Sequence, residues 1–384
     1  MNAVAPHFIS VLKLDSFRNH PALGLECDER SLVLTGPNGA GKTNLLEAVS
    51  FLSPGRGMRR ATLDAVAWLK GTGSWSVFAE LNGACGPASI GTGLAETPLG
   101  LDPARRVRIN GATTKANDDL LDHARILWLT PAMDGLFTGP AADRRRFLDR
   151  LVLAVHPGHG RCVADYERSM RARNRLLADD SPDARWLNAI ETQMAETAVA
   201  IAAARAELIE LLSGVIIAQS HPDQIFPDAV LQIDGTLEAL AREIPASDLE
   251  AQYGETLRAG RRADATAGRT LDGPHRSDLQ VTHRPKAMAA ALCSTGEQKS
   301  LLIGIVLAHA RLVADTAGLA PILLLDEIAA HLDVSRREAL FDRIGTLGSQ
   351  AWMTGTDRAL FEAVGRRAQY FVVQAGEAKR EHSS

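Results

Sequence analysis

Apolar residues near the two ends of the chain are spaced as in strands. Residues 8–17 predict a first strand, and residues 75–81 alternate apolar with polar positions, as half-buried strands do. Residues 321–325 form an unbroken apolar run, which predicts a strand buried on both faces in a parallel sheet. Shorter apolar runs at 351–354 and 370–373 predict two further strands. Both ends of the chain are therefore predicted to supply strands.

The middle of the chain changes to helical spacing. Residues 141 to about 218 have helical spacing, and within them one set of mostly apolar positions steps alternately by three and four, as along a coiled-coil seam. Its members are Leu187, Ile190, Met194, Thr197, Ile201, Ala204, Leu208, Leu211 and Val215. A shorter set upstream, with Arg173 in one position, predicts a partner helix, joined near residues 179–183 in an antiparallel hairpin. Residues 234–273 are polar and are predicted to be irregular.

These patterns together predict an α/β fold interrupted by a helical insertion. We expect a head assembled from both chain ends, with its N-terminal part at residues 1–135 and its C-terminal part at residues 273–384. Residues 136–272 are expected to form an inserted arm, helical and similar to an antiparallel coiled coil. Two roles stay open for this arm: a packing element that only buries apolar surface, or a lever that contacts DNA or a protein partner.

Composition argues against several classes of protein. With 46% hydrophobic and 23% charged residues in 384, the chain is typical of soluble globular proteins. No apolar run approaches the roughly 18 residues that span a bilayer, and residues 1–10 lack the pattern of a secretory signal. The four cysteines form no C-x-x-C pair, which argues against a zinc site or a disulfide framework. We expect a cytoplasmic protein without membrane contact, and the net charge of −4 weakens the case for indiscriminate nucleic-acid binding.

A phosphate-binding loop pattern, G-x-x-x-x-G-K-T, lies between a predicted strand at 31–35 and a predicted helix at 44–49. Its residues are Gly36, Pro37, Asn38, Gly39, Ala40, Gly41, Lys42 and Thr43. In such a loop the glycines let backbone N–H groups turn toward one centre, and the helix N-terminus adds its dipole, so that the loop binds phosphate. Lys42 is expected to reach the β- and γ-phosphates of a nucleotide, and Thr43 to offer its hydroxyl to Mg²⁺.

Further candidate residues for the chemistry lie near the C-terminus. Asp326 and Glu327 follow the buried strand, where Asp326 can help to hold Mg²⁺ and Glu327 can polarise the attacking water. Ser294 and Gly296, ahead of a predicted helix at 301–313, are candidates for a second anion-binding surface, although the same residues could form an ordinary N-cap box. Asp333 completes this ordered series of candidate nucleotide-binding residues.

The order of these motifs resembles that of ABC-type ATPases. The gap between Lys42 and Asp326 is far longer than in a transporter ATPase, and a helical insertion in it resembles the chromosome-maintenance branch. Within that branch, the chain resembles the RecF family of bacterial recombination-mediator ATPases over nearly its full length. The segments that carry this resemblance are residues 14–20, 51–60, 144–149, 273–279 and 294–299. The most specific are Gly-Pro-His-Arg at 273–276 and Arg-Arg-Phe-Leu-Asp at 145–149.

The resemblance implies an ATP-dependent switch on DNA. Ser294 and Gly296 would complete the ATP site of a second subunit, so that ATP joins two heads in a homodimer and hydrolysis through Glu327 releases them. The resemblance also implies binding at gaps between single- and double-stranded DNA, and cooperation with RecR and RecO in loading RecA during repair, replication restart and SOS induction. The favoured DNA-facing cluster is Arg56, Arg59 and Arg60, which follow the first helix.

Two departures from the ABC-type pattern bear on hydrolysis. Residues 354–356 read Thr-Gly-Thr where many such proteins carry a switch histidine, and neither residues 102–117 nor residues 130–139 contain a glutamine for the Mg²⁺-sensing loop. We therefore expect a slow, DNA-dependent ATPase that acts as a switch.

Two alternative functions stay open. One is another SMC-like chromosome-maintenance ATPase, which the modest length of the insertion disfavours because such arms need hundreds of residues. The other is a transporter-type ABC subunit, which the long insertion disfavours, as does the lack of a recognisable coupling interface.

Overall fold

The strands predicted at the two ends of the chain are present, together with others between them. The structure is a computed structural model, which describes residues 7–83, 86–94, 104–114, 117–179, 183–221 and 224–381, except for the side chain of residue 331. Its strands are β1 (Phe8–Phe17), β2 (His20–Glu26), β3 (Ser31–Thr35), β4 (Trp75–Asn82), β5 (Ala88–Leu94), β6 (Arg105–Ile109), β7 (Ala112–Thr113), β8 (Ile126–Leu129), β9 (Ala229–Asp234), β10 (Asp278–His283), β11 (Met288–Ala289), β12 (Ile322–Leu325), β13 (Ala351–Gly355), β14 (Ala368–Gln374) and β15 (Glu377–Glu381). Of residues 102–117, whose lack of glutamine was noted above, 102, 103, 115 and 116 lie outside the described residues.

The α-helices lie mostly in the middle of the chain. They are α1 (Lys42–Ser50), α2 (Ala141–Val155), α3 (His159–Leu177), α4 (Ala184–Ala218), α5 (Thr236–Leu240), α6 (Ala246–Ala267), α7 (Thr295–Ala317) and α8 (Val334–Leu347). The expectation that residues 234–273 are irregular was wrong, because α6 covers 22 of them. Its few large apolar residues, among them Leu249, Tyr253 and Leu257, are buried at helical spacing, so a weakly apolar sequence still forms an amphipathic helix.

The chain folds into two compact units. The first consists of Met1–Asp134, Pro222–Phe226 and Leu302–Ser384, and the second of Gly135–His221 and Pro227–Leu301. Residues 273–301, which the sequence analysis assigned to the C-terminal part of the head, lie in the second unit because β10 pairs with β9 along its whole length. The join predicted near residues 179–183 includes residues 180–182, which lie outside the described residues.

The central sheet of the first unit joins the two chain ends. Its strand order is β15-β14-β3-β13-β12-β8, and β14, β3, β13, β12 and β8 run parallel. All four residues of β12 are buried, as an unbroken apolar run predicts for a strand covered on both faces. The carboxyl ends of β3, β13 and β12 therefore meet at one edge, which is where open α/β sheets bind ligands.

A second, antiparallel sheet completes the first unit. Its order is β2-β1-β4-β5-β6-β7, and β4 alternates buried with more exposed residues as its period-two pattern predicts. Phe17, Phe51 and Trp75 pack in its core with ring centroids 4.9 to 6.0 Å apart. Asn110 and Gly111 join β6 to β7, and both have the positive φ that a tight two-residue hairpin turn needs.

The second unit is mainly helical. Helices α3, α4 and α6 share an apolar core that includes Tyr166, Met194, Ile201 and Leu249, and β9, β10 and β11 form a small antiparallel sheet. The 35-residue α4 carries the predicted seam.

Helix α7 is long and apolar enough to cross a membrane by length and composition. Most of its apolar segment is nevertheless buried inside the fold, which is also the property of a core helix.

Candidate nucleotide site

The phosphate-binding loop joins β3 to α1, and its shape depends on glycine. Gly36, Gly39 and Gly41 have φ angles of 143°, 81° and 109°, which side-chain-bearing residues rarely adopt. A Cβ on Gly36 would collide with the carbonyl oxygen of Val373, and a Cβ on Gly41 would lie 2.6 Å from the Asn19 side chain. The loop therefore turns into the N-terminus of α1, where free backbone N–H groups favour an anion.

Lys42 lies over this loop. Its Nζ donates hydrogen bonds to the carbonyl oxygens of Gly36, at 2.7 Å, and Pro37, at 2.9 Å. Burial lowers the pKa of Lys42 from its ordinary value, while the carboxylates of Glu327 and Asp326 oppose part of the shift. The ammonium is thus held near the loop backbone and near both predicted catalytic carboxylates.

Asp326 connects the loop to the end of the neighbouring strands. Its Oδ1 accepts a hydrogen bond from the Thr43 hydroxyl at 2.9 Å and another from the Thr354 hydroxyl at 2.8 Å. The next residue, Glu327, has φ 50° and ψ 26°, a left-handed conformation that costs about 1–2 kcal/mol for most L-residues. Its backbone N–H donates to the Thr354 hydroxyl at 2.9 Å. Lys42, Thr43, Asp326 and Glu327 are therefore brought together as the sequence predicts.

Two residues to which the sequence analysis gave no role support the loop from outside. Asn19 donates from Nδ2 to the carbonyl oxygen of Ala40 at 3.1 Å and accepts from the Asn44 side chain at 2.6 Å. His20 is buried, with Nδ1 2.7 Å from the carbonyl oxygen of Gly376 and Nε2 3.3 Å from that of Gly41. Both residues lie in segment 14–20, which carries part of the resemblance described above. No sequence pattern, however, connects that segment with a phosphate loop about 20 residues further along the chain.

Ser294 and Gly296 lie in the second unit, at the start of α7. Ser294 donates from its hydroxyl and its backbone N–H to Oε2 of Glu297, and Glu297 N–H lies 3.4 Å from the Ser294 hydroxyl, which is the reciprocal pattern of a capping box. Lys286 and Ser294 bond to Glu297 and lower its pKa to about 2. Ser294 and Gly296 are both exposed. The local contacts of Ser294 are therefore those of an N-cap box, which is one of the two interpretations left open by the sequence.

Asp333 is the N-cap of α8. Its Oδ1 accepts hydrogen bonds from the backbone N–H of Arg336 and the hydroxyl of Ser335, both at 2.8 Å. These bonds lower the pKa of the exposed Asp333 carboxyl, the bond from the Arg336 backbone most of all. Both hydrogen bonds stay within residues 333–336, so they support the start of α8.

The three arginines proposed to face DNA follow α1 and are all exposed. Arg59 is tied to the head, because its Nη1 donates to Asn44 at 2.7 Å and to the buried Glu47 at 3.2 Å. Arg60 has a φ of 54°. Arg56 follows Gly55, whose φ is 96°.

Comparisons with known proteins give the family. A family model described as the RecF/RecN/SMC N terminal domain matches residues 8–379. The DNA replication and repair protein RecF of Rhizobium meliloti (strain 1021) is 57% identical over 373 residues, which cover 97% of this chain and 99% of that protein. The RecF of Mesorhizobium japonicum is 58% identical over 369 residues, or 96% of each chain. The chain belongs to the RecF family.

Solved structures agree with this RecF-family assignment at the level of the fold. The recombination mediator protein RecF with ATP, in the RecFOR pathway, matches with a TM-score of 0.85 at 20% identity over 99% of both chains. The Smc head domain of Pyrococcus furiosus, bound to the C-terminal domain of ScpA, matches with a TM-score of 0.55 at 14% identity. The predicted ABC-type α/β ATPase head is thereby confirmed as the fold class, and so is the resemblance to RecF.

Residues 144–149 and 273–279, two of the segments that carry the resemblance to the RecF family, contact each other in the second unit. Arg144 makes a two-pronged ion pair with Asp278, both bonds 2.7 Å long, and Arg145 donates to the carbonyl oxygen of Ser277 at 2.7 Å. Buried Arg205 links Asp149 to the carbonyl oxygen of Pro274. These arginines are therefore used inside the second unit, which argues against a free DNA-binding role for Arg144 and Arg145.

The donor set at the edge of the central sheet fits a nucleoside triphosphate with Mg²⁺. The glycine loop and the N-terminus of α1 present N–H groups, and Lys42 adds a positive charge. The Thr43 hydroxyl and the Asp326 carboxylate offer two adjacent oxygen ligands, which is the chemistry Mg²⁺ prefers. Glu327 follows Asp326 directly, and its carboxylate is close enough to Lys42 to raise the pKa of that ammonium.

Proposed function

We propose that this RecF-family chain binds ATP with Mg²⁺ and hydrolyses it slowly as a switch in recombinational repair. The observation that carries the proposal is the 2.9 Å hydrogen bond from Thr43 to Asp326, which joins the phosphate loop to the carboxylate pair. Family membership and the fold shared with RecF bound to ATP support it.

Each residue at the site has a distinct role in this proposal. The loop N–H groups and Lys42 bind the phosphates, and Thr43 and Asp326 hold Mg²⁺, which when bound neutralises developing charge on the phosphates. Glu327 orients the attacking water and accepts a proton from it. Gly36, Pro37, Asn38, Gly39, Ala40 and Gly41 supply the cradle itself.

We further propose that ATP joins two copies of the chain in a homodimer. Ser294 and Gly296 of one copy would bind the nucleotide held by the other, and Asp333 would lie at the same interface. Their exposure supports this, as does Leu292, which is 75% exposed two residues before Ser294.

The proposed target is DNA at junctions between single and double strands. Arg56 is exposed and is a better candidate for a phosphate contact than Arg59, which is partly engaged by Glu47. The matched RecF structure is described as part of the RecFOR pathway, which supports RecO and RecR as partners. With them, the protein would act in the cytoplasm to load RecA and to support replication restart and the SOS response.

Light scattering on a Glu327→Gln variant tests the ATP-driven dimer. This variant should bind ATP without turning it over, so ATP is expected to double its mass at micromolar concentration. Lys42→Met is the matched control, because it removes a phosphate contact and should stay monomeric with ATP. A Glu327→Gln variant that stays monomeric with saturating ATP would contradict the dimer proposal.

A further inference from the structure

Thr354 is a buried threonine beside the catalytic carboxylates, and the functional roles above do not use it. It lies in β13 next to β12, where Leu325 pairs with Met353, so that Asp326 and Thr354 leave the sheet side by side. Its side chain is fully buried. A buried hydroxyl at this edge is expected to serve a polar partner.

The Thr354 hydroxyl makes two hydrogen bonds of opposite sense. It accepts from the backbone N–H of Glu327 at 2.9 Å and donates to Oδ1 of Asp326 at 2.8 Å. A hydroxyl has one hydrogen and two lone pairs, so both bonds can exist together and fix the direction of the O–H bond. The result is a short chain from amide to hydroxyl to carboxylate, in which each bond polarises the next.

This chain of hydrogen bonds begins at Glu327, whose backbone conformation is strained. Glu327 is in the left-handed region, which a glutamate adopts only when its surroundings hold it there. The bond from its N–H to Thr354 fixes the peptide plane that leads into that conformation. The peptide plane in turn determines the direction of the Glu327 side chain as it leaves β12.

We propose that Thr354 is a positioning residue for hydrolysis, whose hydroxyl holds Glu327 in the orientation needed to activate water. The inference rests on the proposed ATPase function. The two hydrogen bonds of the Thr354 hydroxyl reach Asp326 and the Glu327 backbone, so the loss of this hydroxyl affects turnover far more than nucleotide binding.

Three variants separate the hydroxyl from the shape of the side chain. Thr354→Val keeps the shape and removes both hydrogen bonds, Thr354→Ser keeps the hydroxyl, and Thr356→Val alters an exposed threonine two residues away. We expect Thr354→Val to lower kcat by roughly 100-fold, as small misplacements of catalytic groups do, with little change in the affinity for a fluorescent ATP analogue. Thr354→Ser should retain most of the turnover, and Thr356→Val should match the parent.

Unchanged kcat in Thr354→Val would overturn the inference. So would an equal loss in Thr354→Ser and Thr354→Val, since packing of the methyl group would then be responsible. Loss of analogue binding together with turnover in Thr354→Val would also contradict it, because a general folding defect produces that result.

Hydrogen exchange at the Glu327 amide, measured without nucleotide, is independent of ATPase activity. We expect faster exchange in Thr354→Val than in the parent, Thr354→Ser or Thr356→Val, and equal rates would refute the amide-to-hydroxyl bond. If the parent shows no ATP turnover, the proposed function fails, while the exchange rates still decide whether Thr354 holds Glu327.

Discussion

Gly273, the first residue of the Gly-Pro-His-Arg segment, packs against two tyrosines. Its φ is 134°, and a Cβ there would collide with the hydroxyl oxygens of Tyr166 and Tyr253. Those hydroxyls are 3.2 Å apart, and Tyr166 also lies 2.8 Å from Nδ1 of His275. The glycine in this segment, which carries part of the resemblance to the RecF family, is thus explained by packing and backbone conformation in the second unit.

Gly273→Ala is therefore expected to destabilise the protein by about 1–3 kcal/mol through overpacking, in addition to the backbone cost. Thermal or urea unfolding measures the change. Gly268→Ala is the matched control, because Gly268 also has a positive φ, of 65°, but has open space around its Cβ position. Equal losses in the two variants would mean that the tyrosine contact has no effect.

At the same scale, the grouping of residues at the candidate nucleotide site was largely predictable from single residues. Lys42, Thr43, Asp326 and Glu327 meet at one sheet edge because the ends of parallel strands meet there. Thr354 was noted only as a departure from a histidine pattern. Its role depends on the pairing of β12 with β13, which no local sequence pattern encodes.

At the scale of elements, buried arginines connect the helices of the second unit. Arg173 of α3 is fully buried, and it bonds to Glu191 of α4 at 2.9 Å and to Asp264 of α6 at 2.6 Å. It also donates to the carbonyl oxygen of Leu257 at 2.7 Å. One side chain therefore links three helices.

Arg173→Met is expected to destabilise the protein by about 3–5 kcal/mol, because it takes the arginine from the buried Asp264 carboxylate and leaves Glu191 with Arg261 alone. Arg171→Met is the control on the same helix: its ion pair with Glu167 is exposed, and losing it costs about 1 kcal/mol or less. Chemical unfolding of both variants measures the difference. A small loss in Arg173→Met would show that the network contributes little to stability.

Helix α4 shows why the helical elements were predicted better than their packing. The early seam members Leu187, Ile190 and Met194 are buried as predicted, but Leu211 is 37% exposed and Leu212 is buried instead. A straight helix drifts by about 20° per heptad from a 3.5-residue repeat, so over this length the buried face moves to new positions. The stepped spacing identified the helix, whereas its partners α3 and α6 decide which face is buried.

At the scale of the whole molecule, the proposed dimer makes a prediction about mixed subunits. If Ser294 acts on the nucleotide of another copy, Lys42→Met and Ser294→Arg chains each lack a complete site when alone. Mixed together, they form one complete site, from the phosphate loop of the Ser294→Arg chain and the Ser294 of the Lys42→Met chain. A site contained within one chain could not be restored in this way.

Mixing differently tagged Lys42→Met and Ser294→Arg chains with ATP is therefore expected to give mixed dimers, measured by co-purification after crosslinking, while neither variant dimerises alone. Ser294→Ala controls for helix capping, because it removes the same N-cap, worth about 1 kcal/mol, without adding bulk or charge. It should melt like Ser294→Arg and retain more dimer. If the mixture yields no mixed dimers although the Ser294→Arg chain still binds ATP, Ser294 does not complete a partner's site, and its capping box with Glu297 is its whole role.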